Sequence, residues 1–262
     1  MNYMFCSLTD PGRARHNNED SVTYDDATGL CVLADGMGGY NAGEVASSMA
    51  TSLIKTELTD WLHRTTEQPS GREIRRALET CVDNVNRSIY VAARTNPDYA
   101  GMGTTLVVGI FHGDKLVLGH IGDSRCYRLR GEELLQVTKD HSLLQEQMDA
   151  GVLTPAQAAV SPLKNLVTRA LGVEDGVLME VSELHVEVGD IYLMCSDGLS
   201  DMMSDSAVAT VLRTRLPLPP MADELVAQAN RNGGRDNITV LLIQAVSTQQ
   251  HRGLMSRWLG KR

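Results

Sequence analysis

The chain of 262 residues is acidic, with 33 aspartates and glutamates against 24 lysines and arginines, and its formal net charge is −9. This length can bury a substantial core in one domain, and 42% hydrophobic with 22% charged residues is typical of a globular protein rather than a disordered one. The acidic balance argues against a general nucleic-acid binder and against a polybasic membrane-surface protein, because both need basic faces.

Short apolar runs bounded by Gly, Asp or Asn predict buried strands along the chain. These runs are 30–35, 104–111, 116–123, 191–197 and 238–245. A further strand is expected at SVTY (21–24), directly after Glu19 and Asp20. Between residues 109 and 135, the turn sequences HGDK and RGEE predict a meander with tight turns. Apolar residues at helical spacing predict helices. The helices are expected over 42–62, 72–93, 206–213 and 222–230. Because two adjacent helices interrupt the series of strands, we expect antiparallel sheets with helices packed outside, in one domain.

Two segments differ from this pattern. The polar, Ala-rich segment at about 141–165 contains two prolines and is predicted to be a small surface flap. The tail over 247–262 is polar and then basic, and its apolar residues Leu254, Trp258 and Leu259 also suit a weak contact with a membrane surface or a partner. We therefore expect a main domain over 1–246, followed by a basic C-terminal tail.

The five cysteines, the N-terminus and the apolar runs bear on the cell compartment. The cysteines are scattered without CxxC spacing, which predicts reduced, mostly buried thiols. The first twenty residues lack the basic start and apolar stretch of a signal peptide. No apolar run approaches the roughly 20 residues that span a bilayer. These features predict a cytoplasmic protein with no integral membrane segment.

Aspartates recur at the ends of the predicted strands. Asp35 in VLADG, Asp123 in HIGDS and Asp197 in LMCSDG follow apolar runs, and Asp236 opens the strand in GGRDNITVLL. If the sheets bring these ends together, the carboxylates repel one another, and a divalent cation relieves the repulsion. Oxygen ligands without paired His or Cys favour magnesium or manganese over zinc. Spacing alone is equally compatible with unrelated turn aspartates, because a lone Asp-Gly is only a turn signal.

At these residues the chain resembles the metal-dependent serine/threonine protein phosphatases of the PPM (type 2C) family, in their compact bacterial form. The motifs that carry the resemblance follow the family order from Thr9 to Ala245. They are RHNNED (15–20), LADGMGG (33–39) with AGE (42–44), GMGTT (101–105), IGDSR (121–125), TKDHS (138–142), LVTRALG (166–172), CSDGLSD (195–201) and GGRDNITV (233–240). Each motif is weak alone, but together and in order they are specific. The resemblance implies an α+β fold, a four-layer α-β-β-α sandwich in which helix pairs flank two antiparallel sheets.

The resemblance also implies the metal ligands, in a cleft at one edge of the sandwich. Asp35 matches the carboxylate that bridges two ions, and the carbonyl of Gly36 matches a ligand of one of them. Asp197 and Asp236 match ligands of the second ion. Asp123, with Asp197, matches the ligands of a third, looser ion that some members hold. The implied cofactors are two core Mn²⁺ or Mg²⁺ ions and, in some members, this third ion.

Four further residues match the family around these ligands. Glu19 matches a residue that holds metal-bound water, and Asp20 lies behind it. Asn237 is expected to orient the site, and Arg15 matches the phosphate-binding arginine. Without the resemblance, Arg15 reads as a surface arginine and Glu19 as a helix or turn carboxylate.

Other polar residues near these motifs have structural alternatives. Asp123 could hold a turn or pair with Arg125 instead of binding metal. Thr138, Asp140 and His141 are expected to form a turn held by side-chain hydrogen bonds. These alternatives stay open at the level of sequence.

The chemistry of phosphate esters agrees with the implied site. A phosphomonoester carries about two negative charges near neutral pH, so a carboxylate cluster repels it unless metals reverse the local charge. Two bridged divalent ions also lower the pKa of the water between them, and the resulting hydroxide can attack phosphorus in line. The expected catalytic residues are Asp35, Asp197, Asp236 and Arg15, with no protein nucleophile.

The chain departs from the family pattern at the position of the general acid. Many animal and plant members have a His after the metal-binding Asp-Gly, where this chain has Met37, which donates no proton. Tyr40 stands where many bacterial members have a His, and its hydroxyl suits hydrogen bonding better than general base catalysis. His16 is the other candidate. No general acid is assigned.

The expected activity is hydrolysis of phosphoserine and phosphothreonine in proteins by a metal-bridging water, opposing a bacterial serine/threonine kinase. A cytoplasmic monomer without a nucleic-acid partner is expected. The residues alone support only phosphomonoester hydrolysis, and protein specificity rests on the resemblance. Two alternatives are a non-catalytic pseudophosphatase that acts as a binding module and a small-metabolite phosphatase.

Overall fold

The structure, a computed structural model, describes residues 1–39, 42–65, 68–154, 157–158, 161 and 166–248. Its strands are β1 Asn2–Asp10, β2 Asp20–Asp25, β3 Leu30–Met37, β4 Gly103–Thr104, β5 Leu106–His112, β6 Lys115–Ile121, β7 Arg125–Arg130, β8 Glu133–Gln136, β9 Glu180–His185, β10 Ile191–Cys195 and β11 Ile238–Val246. Its α-helices are α1 Ala42–Arg64, α2 Gly71–Thr95, α3 Leu143–Asp149, α4 Asp197–Ser200, α5 Asp205–Arg213 and α6 Leu218–Arg231. Tyr40, part of the predicted flap and residues 249–262 of the predicted tail lie outside the described residues.

Two antiparallel sheets form the centre of the molecule. One sheet has the strand order β1-β11-β10-β7-β8, and the other has the order β2-β3-β5-β6-β9, with β4 beside β3. Helices α1 and α2 pack on the outer face of the second sheet, and α4, α5 and α6 pack on the outer face of the first. The predicted α+β, four-layer α-β-β-α sandwich is therefore confirmed.

Strand β11 shows why the central strands read as continuous apolar runs. Val240 and Leu242 belong to the core cluster under the helices, whereas Leu241 and Ile243 pack between the two sheets. Side chains alternate between the faces of a strand, so a strand that is covered on both faces needs apolar residues at every position.

The predicted helices are confirmed, with shifted ends. Helix α2 begins at a capping box in which the Ser70 hydroxyl accepts from the Glu73 N–H and the Glu73 carboxylate accepts from the Ser70 N–H. Helix α6 begins at Leu218, four residues before the predicted start at 222. Prolines occupy its first turn, where a missing N–H costs no intrahelical hydrogen bond.

Two strands were not predicted from the sequence. Strand β1 pairs with β11 along its whole length, from Asn2↔Val246 to Asp10↔Ile238. Strand β9 pairs with β6 at the far edge of the other sheet. Both are edge strands that mix polar and apolar residues: β9 has no two apolar residues in a row, and the apolar run of β1 is only four residues long, shorter than those of β3, β5 and β10.

The meander predicted over 109–135 is wrong. Tight hairpins do form at His112–Lys115 and at Arg130–Glu133, but β6 belongs to one sheet and β7 to the other. The chain crosses between the sheets at Gly122, which has a φ of +100°. Hydrophobic patterning identifies buried strands but does not assign them to a sheet, because both sheets bury both of their faces.

Other expectations concern cysteines, membrane spans and the flap. All five cysteines are free, and four of them are buried, as predicted. Within the described part of the chain, no helix has the length and hydropathy to cross a membrane. Helix α3 of the predicted flap begins after Ser142, whose hydroxyl accepts from the Gln145 N–H. Ser142 also forms an isolated bridge with Val167, so the two ends of the flap segment meet.

Candidate active site

The strand ends bring the predicted aspartates together at one edge of the sandwich. Asp35 lies opposite Asp20 in the β2–β3 register, while Asp197 follows β10 and Asp236 precedes the neighbouring β11. The charges that act on Asp35 are those of Asp20, Asp197, Asp123 and Asp236. The aspartates therefore form one cluster with members from both sheets. They are not unrelated turn residues scattered over the surface.

Burial and repulsion leave this cluster electrostatically unsatisfied. Burial, followed by the charge of Asp20, raises the pKa of Asp35 well above its ordinary value. Burial, followed by the charge of Asp123, does the same to the pKa of Asp197. Burial is also the main cause that raises the pKa of Asp20 and that of Asp123 to about 6. The Oδ1 atom of Asp20 is buried without a hydrogen-bond partner in the described structure. A divalent cation among these carboxylates would relieve the repulsion.

Two glycines allow the segments of the cluster to touch. A Cβ atom at Gly36 would lie 2.1 Å from the Gly43 carbonyl oxygen and 2.6 Å from that of Glu19. A Cβ atom at Gly198 would lie 1.9 Å from the Asn237 carbonyl oxygen. Larger residues at these two positions would therefore force the carboxylate-bearing segments apart.

Asn237 joins two loops beside the cluster. Its Oδ1 accepts from the Glu19 N–H at 2.7 Å, and its Nδ2 donates to the carbonyl oxygens of Asn17 at 2.8 Å and Pro11 at 3.1 Å. The side chain is buried. It thus fixes the N-terminal loop against the loop that enters β11, which suits the predicted orienting role.

Two hydroxyl groups in the site were missed as site residues by sequence reasoning. The Ser196 hydroxyl donates to Oδ2 of Asp20 at 2.7 Å and accepts from the Thr239 N–H at 3.0 Å. The Thr105 hydroxyl accepts from the Asp35 N–H at 3.0 Å. Both residues stand within the motifs that carry the resemblance, but a hydroxyl in an apolar strand is ordinary and gives no signal of its own.

Arg15 lies at the mouth of the cluster. Its Nη2 donates to Oδ2 of Asp236 at 2.8 Å, and its side chain is 54% exposed. The hydrogen bond and the charge of Asp236 raise the pKa of the guanidinium, and Glu19 and Asp197 add smaller contributions. Burial is the main cause that raises the pKa of Glu19. The arginine is therefore placed between the carboxylates and solvent.

Arg125 and the TKDHS segment pack beside Asp123 and make hydrogen bonds of their own. Arg125 forms a bidentate pair with Asp140, with Nε at 3.0 Å from both carboxylate oxygens and Nη2 at 2.7 Å from Oδ2, rather than with Asp123. The Thr138 hydroxyl accepts from the Cys126 N–H at 2.9 Å. Asp140 also accepts from Nε2 of Gln136, four residues before it, at 3.0 Å, and the same Nε2 donates to the Thr138 carbonyl oxygen at 3.0 Å. The expected turn held by side-chain hydrogen bonds is therefore present, and the Thr138 hydroxyl and the Arg125–Asp140 pair also tie it to β7.

A cavity of about 660 Å³ adjoins the cluster on the side of Asp123. Helix α3 of the flap segment supplies part of its wall. Among the residues that line the cavity, six are aspartates and one is an arginine: Asp123, Asp140, Asp149, Asp197, Asp201, Asp205 and Arg125. A groove of similar volume lies between α1 and α2 in the outer helical layer, away from the carboxylates.

The structure also pairs two histidines that come from different segments of the chain. The rings of His120 and His141 stack with centroids 4.6 Å apart, and their ligand atoms lie within 4.8 Å of one another and of a Glu180 oxygen. The Nδ1 atom of His141 accepts from the Gly122 N–H at 3.2 Å, and burial is the main cause that lowers the pKa of His141 to about 4. The neutral ring thus already uses its lone pair, which favours the aspartate cluster as the cation site.

Comparisons with known proteins agree with this arrangement. Residues 13–242 match the family model described as protein phosphatase 2C. The chain is 39% identical over 247 residues to the serine/threonine phosphatase stp of Listeria monocytogenes, covering 93% of this chain and 96% of that protein. The crystal structure of the Mycobacterium tuberculosis serine/threonine phosphatase PstP/Ppp matches with a TM-score of 0.84 at 38% identity, covering 94% and 100% of the two chains. A PstP catalytic domain in complex with two manganese ions matches with a TM-score of 0.81 at 37% identity, covering 94% and 99%.

Proposed function

Because the chain belongs to the protein phosphatase 2C family, we propose that the cluster of Asp35, Asp197 and Asp236 is its catalytic centre. The chain is a protein serine/threonine phosphatase, which hydrolyses phosphoserine and phosphothreonine in proteins. The observation that carries the proposed site is the convergence of buried carboxylates from both sheets, which raises the pKa of Asp35 well above its ordinary value.

The residues of the cluster fit divalent cations, because they offer oxygen donors and repel one another when no cation separates them. We propose that Asp35, the Gly36 carbonyl, Asp197 and Asp236 hold two Mn²⁺ or Mg²⁺ ions, and that Asp123 with Asp197 holds a third. When bound, these ions supply positive charge for the phosphate and lower the pKa of water. The relative with two manganese ions supports manganese at the first two positions.

The surrounding side chains bind and orient. Arg15 offers the planar fork of its guanidinium to the phosphoryl oxygens, a geometry that favours bidentate contacts. Glu19 faces the cluster from the N-terminal loop and positions water there. Asn237 holds that loop in place, and Ser196 fixes the carboxylate of Asp20 behind the site.

Removing the metal tests the proposed site. After treatment with a chelator, hydrolysis of a phosphothreonine peptide should fall to background, and Mn²⁺ or Mg²⁺ should restore it. Titrating the two ions separately would identify the preferred one. Full activity in the presence of chelator would contradict a metal-dependent centre. Peptide binding without turnover in Mn²⁺ would instead indicate a pseudophosphatase, and faster turnover of small phosphates would indicate a metabolite phosphatase.

Replacing Arg15 with Ala should mainly weaken binding of the phosphate. The side chain is half-exposed, so we expect KM for a phosphopeptide to rise about tenfold, which corresponds to about 1.4 kcal/mol, near the lower limit for a charge-assisted hydrogen bond. Steady-state kinetics on the two proteins would measure it. Arg15→Lys keeps the charge but not the fork and should give an intermediate KM. An unchanged KM in Arg15→Ala would remove Arg15 from the phosphate site.

The domain organisation and cellular setting complete the proposal. We propose a phosphatase domain over 1–246 with a flap at about 141–165 and a basic tail over 247–262. The protein is proposed to act as a cytoplasmic monomer that opposes a bacterial serine/threonine kinase. The match of the family model to residues 13–242 supports the domain, and the five free cysteines suit a reducing compartment.

A further inference from the structure

Three arginines are gathered on the Asp236 side of the cleft. Arg15 pairs with Asp236, Arg13 stands two residues before Arg15, and Arg235 directly precedes Asp236. The backbone N–H of Arg13 donates to the Gly234 carbonyl oxygen at 2.7 Å. The N-terminal loop therefore rests on the loop that enters β11, and the two loops carry their arginines to the same place.

The glycine pair Gly233–Gly234 provides the surface on which the two outer arginines lie. A Cβ atom at Gly234 would be 2.9 Å from Cγ of Arg13. A Cβ atom at Gly233 would be 3.7 Å from Cγ and 3.8 Å from Nε of Arg235. The aliphatic parts of both arginines therefore lie against glycine backbone, beside the proposed phosphate site at Arg15.

The charges of Arg13 and Arg235 are not used within the fold. Both residues are exposed, and neither guanidinium has an ion-pair partner among residues that the structure describes. On the Asp123 side, by contrast, aspartates predominate in the wall of the adjoining cavity. The cleft is therefore basic on one side of the carboxylate cluster and acidic on the other.

We propose that Arg13 and Arg235 form an anion subsite that binds an acidic group flanking the phosphorylated serine or threonine of the substrate. The group is a carboxylate or a second phosphoryl group, since the guanidinium fork matches both. This subsite rests on the proposed function, because it is defined relative to the phosphate at Arg15. Acidic groups are favoured on the flank that lies toward these arginines and disfavoured on the flank that lies toward the aspartates.

The distances and charges set the size of the effect. An extended peptide advances about 3.3 Å per residue. The first two or three residues on either side of the phosphorylated residue therefore lie within a Debye length of Arg13 and Arg235. Exposed ion pairs are individually weak, and each arginine should change kcat/KM by about two- to fivefold. The two together should give a preference of about tenfold, which added salt should screen.

Matched phosphothreonine peptides test the subsite. Three series carry Ala, Asp or Lys at two positions on one flank of the phosphothreonine, and each series is made for both flanks. A fourth, the phosphoserine series, carries the non-hydrolysable phosphonate analogue of phosphoserine in place of Asp, so that only the phosphothreonine is a substrate. The measured quantity is the kcat/KM ratio of each charged peptide to its Ala counterpart, with the full chain in Mn²⁺. On one flank, the Asp and phosphoserine ratios should exceed one in the wild type and fall to about one at high salt.

Variants of the arginines assign the effect to named residues. The double variant Arg13→Ala/Arg235→Ala should bring the Asp ratio close to one, and Arg13→Glu/Arg235→Glu should favour Lys on the same flank. Arg87→Ala, an exposed arginine on α2, should keep the wild-type ratio. Comparing the Asp and phosphoserine ratios distinguishes a carboxylate from a second phosphate as the preferred group, and a gain from either supports the subsite.

The subsite and the proposed function fail differently. A wild-type ratio of one on both flanks, or a ratio that the double variant leaves unchanged, would overturn the subsite while hydrolysis of the peptides still supports the proposed function. A wild-type protein that hydrolyses none of the peptides in Mn²⁺ would overturn the proposed function, and the subsite with it.

Discussion

Asp35→Asn and Asp197→Asn are each expected to reduce phosphopeptide hydrolysis by about 10³-fold or more while the fold is kept. Substituting groups that only orient a metal ligand commonly costs 10–100-fold, so removing a ligand charge should cost more. Asn has the shape of Asp, so packing around the buried site changes little. Activity in saturating Mn²⁺, with circular dichroism as the check on folding, would measure the effect.

The same variants should behave differently from the wild type in thermal unfolding. Because burial raises the pKa of both carboxyls, their ionised forms destabilise the metal-free fold, and Asn removes that cost. We expect a metal-free Tm equal to or above that of the wild type, and a smaller rise in Tm when Mn²⁺ is added. Asp83→Asn, on the exposed side of α2, is the matched control. Wild-type turnover in either site variant would exclude the proposed centre.

Gly198→Ala should damage both stability and activity. The added Cβ atom would fall 1.9 Å from the Asn237 carbonyl oxygen, so either the N-terminus of α4 or the loop that enters β11 must move. Overpacking against rigid backbone should lower the free energy of unfolding by about 2–3 kcal/mol, and hence Tm by about 5–10 °C. Asp197 directly precedes Gly198, and Asp236 directly precedes Asn237, so the two carboxylates would move apart. The Mn²⁺ concentration that gives half-maximal activity should therefore also rise.

Gly176→Ala is the control for this substitution. A Cβ atom at Gly176 has no heavy atom within 4 Å, and its φ lies outside the left-handed region. We expect Tm and activity close to those of the wild type. A Gly198→Ala variant that matched this control in both measurements would show that contact between the two segments is not needed to assemble the centre.

The aspartates could be found from sequence because of where they stand. Asp35, Asp123 and Asp197 end runs that are long and apolar enough to predict strands, and a polar residue at such an end is conspicuous. The spacing in the sequence could not show that these ends meet. Their convergence depends on which sheet each strand joins and on how the two sheets pack together. Only the resemblance supplied that step, through the order of the motifs.

Other parts of the site and fold gave no such signal. Ser196 lies in an apolar segment, and its hydrogen bond to Asp20 cannot be predicted before the end of β10 in one sheet is placed against β2 in the other. The change of sheet at Gly122 depends on a backbone angle, and glycine permits many. The strands β1 and β9 lie at sheet edges and mix polar with apolar residues, so local patterning does not predict them.

The pairing of β1 with β11 also has a consequence for the newly made protein. Residues 2–10 find their partners only at 238–246, and Arg15 and Glu19 likewise meet Asp236 and Asn237 across almost the whole sequence. A chain emerging from the ribosome therefore holds no complete catalytic centre until translation has passed β11. Because these contacts join residues far apart in sequence, folding is also expected to be slow. The enzyme therefore becomes active only after its whole catalytic domain has been synthesised and has folded.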